Sequence, residues 1–462
     1  MLGTRREFLR SFLAAAASLP FAGTALASGV LPPRKWMRTS ASTQSHSRPA
    51  SADDSALLDE LERASFEFFW READPYTGMV RDRAPAMGGG TSQMSSIAAT
   101  GFALTALCIG CERKYRPAPL IVARVRHTLR FLAHQVPHVH GFFYHWVDLH
   151  SGKRVAFSEV SPIDMAILLC GVLTCREYFR SKEVSRDASL IYERVDWPWA
   201  SNGGDTFALD WTPERGFSPL RWDSYCESMM LYLLAIGSPA HPIAPRCWRA
   251  FRRPWMDYRD YHYISSAAPL FVHQFSHAWF DFRGKHDEYA DYFGNSVLAV
   301  QAHRQFCLEL KSRFPGYSET AWGVTASDSS KGYVAWGGPP AQGPLDGTIV
   351  PAAAAGSLPF LFDESVAVLR NLRERFGKRV WKRYGFVDAF NPLTGWIAGD
   401  VLGIDVGISM LMAENARTQL VWRIFMRNPE VRAAMEKCGF HDLNTPPTLY
   451  SMRSASSLTP AE

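Results

Sequence analysis

Sixteen consecutive residues, Ser95–Gly110 (SSIAATGFALTALCIG), carry no charged side chain. A helix that is apolar all round must be covered on every side, so this run belongs inside a larger assembly of helices. Val122–Gln135 follows it with apolar residues on one face only. The same succession returns further on. Ser161-Pro162-Ile163-Asp164 opens a second buried helix reaching about Phe179, with Pro at the favoured first position. Arg221–Gly237 (RWDSYCESMMLYLLAIG) runs from a polar lead-in straight into a third. Helical spacing also marks Leu57 to Trp70, 267–282, 286–311, 350–376, 404–416 and 417–438. About six helix pairs of about 65 residues each would fill 55–440. An all-α (α/α)6 toroid suits this alternation: an inner ring of apolar helices, an outer amphipathic ring, and inner-helix starts converging on one mouth. Small β excursions are expected. Gly141–Asp148 alternates and then turns at Ser151-Gly152, as a hairpin would. The aromatic, Gly-rich stretch 316–347 is a long functional loop or a short sheet. There is no βα rhythm, and no fixed-length repeat of the kind a solenoid would leave.

The two ends of the chain have a different texture. Thr4-Arg5-Arg6-Glu7-Phe8-Leu9 resembles a twin-arginine export signal, and the apolar run Phe12–Leu26 ends in the small-residue site Ala25-Leu26-Ala27. That run is too short for a membrane span. Residues 1–27 are therefore expected to be a cleaved leader engaging the twin-arginine export machinery, which gives a periplasmic or secreted protein with no stable membrane insertion. Residues 28–54 read as a flexible Ser/Pro-rich linker, 55–445 as the helical domain and 446–462 as a disordered tail. The net charge of +5 is spread out, with no basic run dense enough for nucleic acid. Most of the eight cysteines lie in apolar helical patterns, and Cys108-x-x-Cys111 lacks the second pair a zinc site would need.

Acidic residues recur near helix starts: Asp82, Glu159 and Asp164, Glu227, Asp346, and Asp400 with Asp405. Three of them have a plain structural alternative. Ser224-x-x-Glu227 has the spacing of a capping box, Asp164 follows Ser161 at capping distance, and Asp405 could cap a helix from Ile408. The chemical alternative is a pair of carboxyl groups facing each other across a cleft. Glycosidic cleavage needs one acid to protonate the leaving oxygen and another to activate water or attack the anomeric carbon. Fifteen Trp, 16 Tyr and 29 Phe, many in Gly/Pro-rich segments, would supply faces on which sugar rings stack. In the segment 270–284 (LFVHQFSHAWFDFRG), His273 and His277 would share a helix face, but Gln274 stands where a zinc peptidase carries its Glu. No metal or other cofactor is expected. His277, Trp279 and Arg283 would instead reach sugar hydroxyls or satisfy one another inside the barrel.

Taken together, ASFEFFWREADPYTGMVRDR, SSIAATGFALTAL, GFFYHWVD, SEVSPIDMAILLCGVL, DSYCESMMLYLLAIGSP, LFVHQFSHAWFDFRG, DGTIVPAAAAGSLPF and GWIAGDVLGIDVGISMLMAEN resemble the bacterial glucoamylase-like domain family, which includes endo-β-1,2-glucanases. The resemblance runs over most of 64–415. It implies an (α/α)6 barrel and an inverting hydrolase acting on β-1,2-glucan. It implies Glu227 as general acid and Asp405 as general base, with Asp400 as the fallback, and proton transfer relayed through a substrate hydroxyl and water. Asp82, Glu159, Asp164, His277, Arg283, Trp322, Trp336 and Asp346 would line the cleft. Where the family often has Gly-Ile-Asp-Gln-Gly-Pro, this chain has Gly403-Ile404-Asp405-Val406-Gly407-Ile408. Transglycosylation, hydrolysis of another glucan linkage, and non-catalytic glycan binding are the alternatives.

Overall fold

The computed structural model describes residues 51–339 and 343–443. The expected leader, all but the last residues of the linker, and the tail lie outside them. Helix α1 (Ala52–Arg71) begins three residues before the expected boundary. Ser51 caps it by accepting from Asp54 N at 3.1 Å, and its own N–H donates to Asp54 Oδ2 at 3.3 Å.

The apolar runs are the interior helices. In α2 (Ile97–Glu112) every residue from Ile97 to Gly110 is buried. The amphipathic helix α3 (Ala118–His134) turns Ile121, Val125, Leu129 and Leu132 inward. In α4 (Pro162–Phe179) burial is continuous from Pro162 to Arg176. Helix α5 (Lys182–Glu193) is amphipathic and covers α3 and α4. All nine residues of α6 (Met229–Gly237) are buried. Then come α7 (Tyr292–Glu309), α8 (Pro351–Ala355), α9 (Phe362–Phe376), α10 (Gly403–Thr418), α11 (Leu420–Phe425) and α12 (Pro429–Lys437). The interior helices pack side by side: α6 on α4, α4 on α2, α2 on α10, and α10 on α8. The α2–α4 contact is the most intimate, because Gly101 and Gly171 let the two backbones meet. A Cβ on Gly171 would lie 2.0 Å from the Gly101 carbonyl oxygen.

The described strands form eight two-stranded antiparallel sheets. Four of these strands frame the mouth. They are β1 (Arg83–Pro85), β2 (Met94–Ser96), β3 (Trp146–Asp148) and, further along, the last strand before α10. Between them in sequence comes the hairpin of β4 (Ala326–Ser329) and β5 (Gly332–Ala335). The last strand, β6 (Asp400–Leu402), pairs with β1 so that Pro85 faces Asp400 and Arg83 faces Leu402. Strand β3 is part of the turn expected around Ser151-Gly152, through the Val147–Arg154 bridge, and its other edge pairs with β2. The aromatic stretch 316–347 contains the β4–β5 hairpin.

Several helix expectations are corrected. Residues 267–282 form two short 3₁₀ turns, Leu270–His273 and Ser276–Ala278. Tertiary hydrogen bonds compete with a continuous helix there. Gln274 donates to Ala353 O and Ser357 Oγ, and Ser276 Oγ donates to Glu227 O at 2.7 Å. Region 350–376 divides into α8 and α9. Region 417–438 divides at Asn428, before Pro429. The Ser224–Glu227 capping box does not form. Residues 223–225 are held by backbone bonds to Arg252, Ser224 Oγ donates to Asp223, and α6 starts only at Met229. Asp405 is the third residue of α10 and not a cap, while at the start of α4 Ser161 Oγ donates to the Asp164 carboxylate.

Candidate active site

A cleft of about 480 Å³ opens where β1, β3, β5, β6 and the start of α4 meet. Its acidic walls are Asp82, Asp164 and Asp400, and its aromatic ones are Trp146, Trp222 and Tyr333. Trp146 Nε1 donates to Asp82 Oδ1 at 3.4 Å, which fixes the indole edge. His145 also lines the cleft. Its ring stacks on Trp146, with centroids 4.0 Å apart, and its Nδ1 lies 3.2 Å from Glu159 Oε1 and 3.6 Å from Asp164 Oδ2. Burial works to depress this imidazole, but Asp164, Glu159 and Asp82 outweigh it and raise its pKa. The surrounding carboxyl groups thus favour the charged form of the ring.

A second line of charge starts from the same Asp82. Arg83 Nε donates to Asp82 at 3.2 Å, and its Nη1 is 3.0 Å from both carboxyl oxygens of Asp328 on β4. The Asp328 N–H donates to Asp388 Oδ2 at 2.7 Å. Asp388 and Asp405 line one small pocket that adjoins the cleft at Leu402. Asp400 is raised above the ordinary carboxyl range by burial, with Arg83 opposing and Asp328 reinforcing. Among the described residues, no group of three or more His, Cys, Asp or Glu could hold a metal ion.

The expected site residues separate into three sets. Asp82, Asp164 and Asp400 stand on the cleft wall. Glu159, Glu227 and Asp405 are set back from it, at 2%, 0% and 6% exposure. Glu159 reaches the cleft through His145. Glu227 follows Trp222 by five residues, and Asp405 follows the cleft-lining Ile404 directly. The remaining five do not line the cleft. His277 is wholly buried among Phe282, Phe293 and Phe360, pairs with Ser296 Oγ at 3.0 Å, and is pushed down to about 3 by burial. Arg283 pairs with Asp281 and Gln419 at the far end of α10, a helix about 24 Å long by its rise per residue. Trp322 is core. Trp336 donates to Ser327 Oγ and supports the hairpin, and Asp346 accepts from Thr348 N in an exposed turn. His273 does not share a site with His277, since its two nitrogens bond Tyr225 and Ser265.

Sequence reasoning missed His145, Arg83, Trp222, Tyr333, Asp328 and Asp388. Asp388 was the most accessible of these, as a lone acid within the otherwise apolar Gly385–Phe390.

Residues 219–429, which include Glu227, Asp388, Asp400 and Asp405, match a family model described as "Putative glucoamylase". The chain is 29% identical over 430 residues to the exo beta-1,2-glucooligosaccharide sophorohydrolase (non-reducing end) of Parabacteroides distasonis, covering 83% of this chain. It spans 58% of that relative's length. The endo-beta-1,2-glucanase of Chitinophaga pinensis, solved with sophorotriose and glucose, superposes with a TM-score of 0.77 at 27% identity, over 84% of this chain and 98% of that one. A beta-1,2-glucanase from Parabacteroides distasonis gives the same score and identity, over 84% and 60%. The helical domain described here is thus similar to the glucoamylase-like proteins over residues 219–429 and shares its fold with these glucanases.

Proposed function

We propose that this protein is an inverting glycoside hydrolase that cleaves β-1,2-glucan internally to short sophoro-oligosaccharides. The observation that carries the proposal is the cleft itself. Carboxyl groups that line one cleft together with Trp146, Trp222 and Tyr333 meet the needs of a glycosyl transfer site: proton donors and acceptors plus flat apolar faces. The relatives that act on β-1,2-linked glucose support the linkage.

Glu227 is the general acid and Asp405 the general base in this proposal. Both are set back from the cleft surface, so protons reach the glycosidic oxygen and leave the attacking water through an intermediary, a substrate hydroxyl or a second water. Asp400, raised by burial, is the alternative base. Asp82 and Asp164 hold ring hydroxyls. The helices complete an (α/α)6 toroid around this mouth. The twin-arginine leader at 1–27 delivers the enzyme to the periplasm or the medium.

A second reading, release of sophorose from the non-reducing end, is favoured by the name of the Parabacteroides distasonis relative. Incubation with linear β-1,2-glucan, with product size and anomeric form read by NMR, tests both. Mixed short products of inverted configuration fit the endo reading, and sophorose alone fits the exo reading. Absence of new reducing ends rejects hydrolysis. Glu227→Gln removes the proton donor at constant shape and should lower turnover at least a hundredfold. Near-normal turnover would reject its role.

A further inference from the structure

The pocket beside the cleft holds two buried acids, Asp388 and Asp405, at 4% and 6% exposure. Both line one small pocket whose other lining residues include no Lys, Arg or His. Two carboxylates buried together with no cation lining their pocket cannot both ionise, so the pair contains at least one proton. Its location follows from the surroundings. Asp388 lies in an apolar segment between Val387 and Ala389, and its backbone donor is Asp328 N. Beside it stands the like-charged Asp328, whose carboxyl oxygens are both taken by Arg83 Nη1. Asp405 sits instead in the first turn of α10, where the positive end of the helix dipole favours a negative charge.

We infer that Asp388 is a positioning residue for Asp405: it keeps the proton of the pair and donates it to Asp405, aiming that carboxylate for its work as base. The inference rests on the assignment of Asp405 proposed above. When Asp405 takes a proton from the attacking water, the pair carries two, and one returns to solvent after product leaves. Burial and the neighbouring Asp405 both hold the Asp388 carboxyl well above the usual range, in agreement with a neutral donor. The link continues to substrate. Asp388 hangs from Asp328, Asp328 from Arg83, and Arg83 from the cleft-wall residue Asp82.

The groups that face this pair are Asp328 on β4, the Tyr384 hydroxyl across the pocket, and behind them Arg83 and Glu72, the last accepting from Tyr384. The test is the pH profile of kcat on β-1,2-glucan for Asp388→Ala, Asp388→Asn and Asp405→Asn. Loss of a neutral donor makes Asp405 more basic, so the acidic limb in Asp388→Ala should move to higher pH, with kcat down about a hundredfold and KM little changed. Asp388→Asn keeps an N–H donor and should restore most of both. If Asp388 were instead an ionised, merely structural acid, its removal would move the limb to lower pH or leave it in place, and the inference would fall. Near-normal turnover in Asp405→Asn would overturn the base assignment itself, a separate outcome. Should Asp388→Ala fail to fold, a carbon-13 titration of the wild-type aspartate carboxyls decides: one group titrating far above the ordinary range is expected, and ordinary values for every buried aspartate would overturn it.

Discussion

His145 and Glu159 meet with imidazole Nδ1 3.2 Å from carboxyl Oε1, and the Asp164 carboxylate stands 3.6 Å from the same nitrogen. The imidazole pKa is raised above its ordinary 6.5, so its charge favours the folded state most below that pH. The contribution is fully present below about pH 6.5 and fades as pH rises through the higher folded value. His145→Gln should therefore cost about 3 kcal/mol at pH 6 and less at alkaline pH, since it leaves two acids without their cation. Thermal melts of both proteins across pH 5 to 9 measure this. A difference that grows with pH would contradict it.

The glycine pair that joins α2 and α4 makes a second prediction. A methyl group on Gly171 has no room, because the atoms it meets are the backbone of Gly101. Backbone cannot rotate aside as a side chain can, so the helices must separate. Gly171→Ala should destabilise the domain by about 3 kcal/mol, at the upper end for overpacking, although alanine is the better helix former. Chemical denaturation would detect the loss as a lower midpoint at unchanged slope.

At the end of α10 remote from the cleft, Arg417 Nη1 pairs with Glu62 Oε2 at 2.6 Å, and Arg113 grips both oxygens of Glu414 at 2.9 Å. Glu62 and Glu414 are fully buried. Arg417→Met would strand Glu62 without its nearest cation, at a cost of about 3–5 kcal/mol. Glu414 lies nine residues after Asp405 in the same helix, about 14 Å along its axis, so kcat and KM at 25 °C should stay near wild type. A drop in melting temperature with unaltered kinetics is the expected result.

Much of this architecture was legible in the primary structure. The apolar runs became α2, α4 and α6 because a helix with no polar face must be covered on every side, and Pro162 marked the start of α4 to the residue. The cleft acids Asp82, Asp164 and Asp400 were accessible for a related reason, since each is an acid beside an apolar segment. The segment 270–284 misled because its spacing suits a helix while Gln274 and Ser276 spend their hydrogen bonds on other elements. Local pattern carries no trace of such partners. His277 and Arg283 fell with it. One is sealed in the core and the other is at the wrong end of α10. His145 and Asp328 were invisible for the opposite reason. Their importance comes from partners 14 residues away in one case and 245 in the other.

Arg83 is the hinge of the cleft's charge pattern, and its removal gives the last prediction. It touches Asp82 on its own strand and Asp328 on the hairpin, and it opposes the upward shift of Asp400. In Arg83→Gln the Asp400 carboxyl should rise further, because burial and Asp328 both push it up and nothing opposes them. The hairpin carrying Tyr333 also loses its ionic tie to β1. Substrate binding should weaken about tenfold, mostly in KM, because the aromatic wall and the acid wall are no longer held at a fixed separation. The weakening should be deepest at low pH, where the raised Asp400 is protonated first, and should ease as pH climbs. Kinetics on β-1,2-glucan from pH 4 to 8 would show a KM ratio between variant and wild type that falls with pH. A ratio independent of pH would mean that Arg83 acts through the hairpin alone and leaves Asp400 untouched.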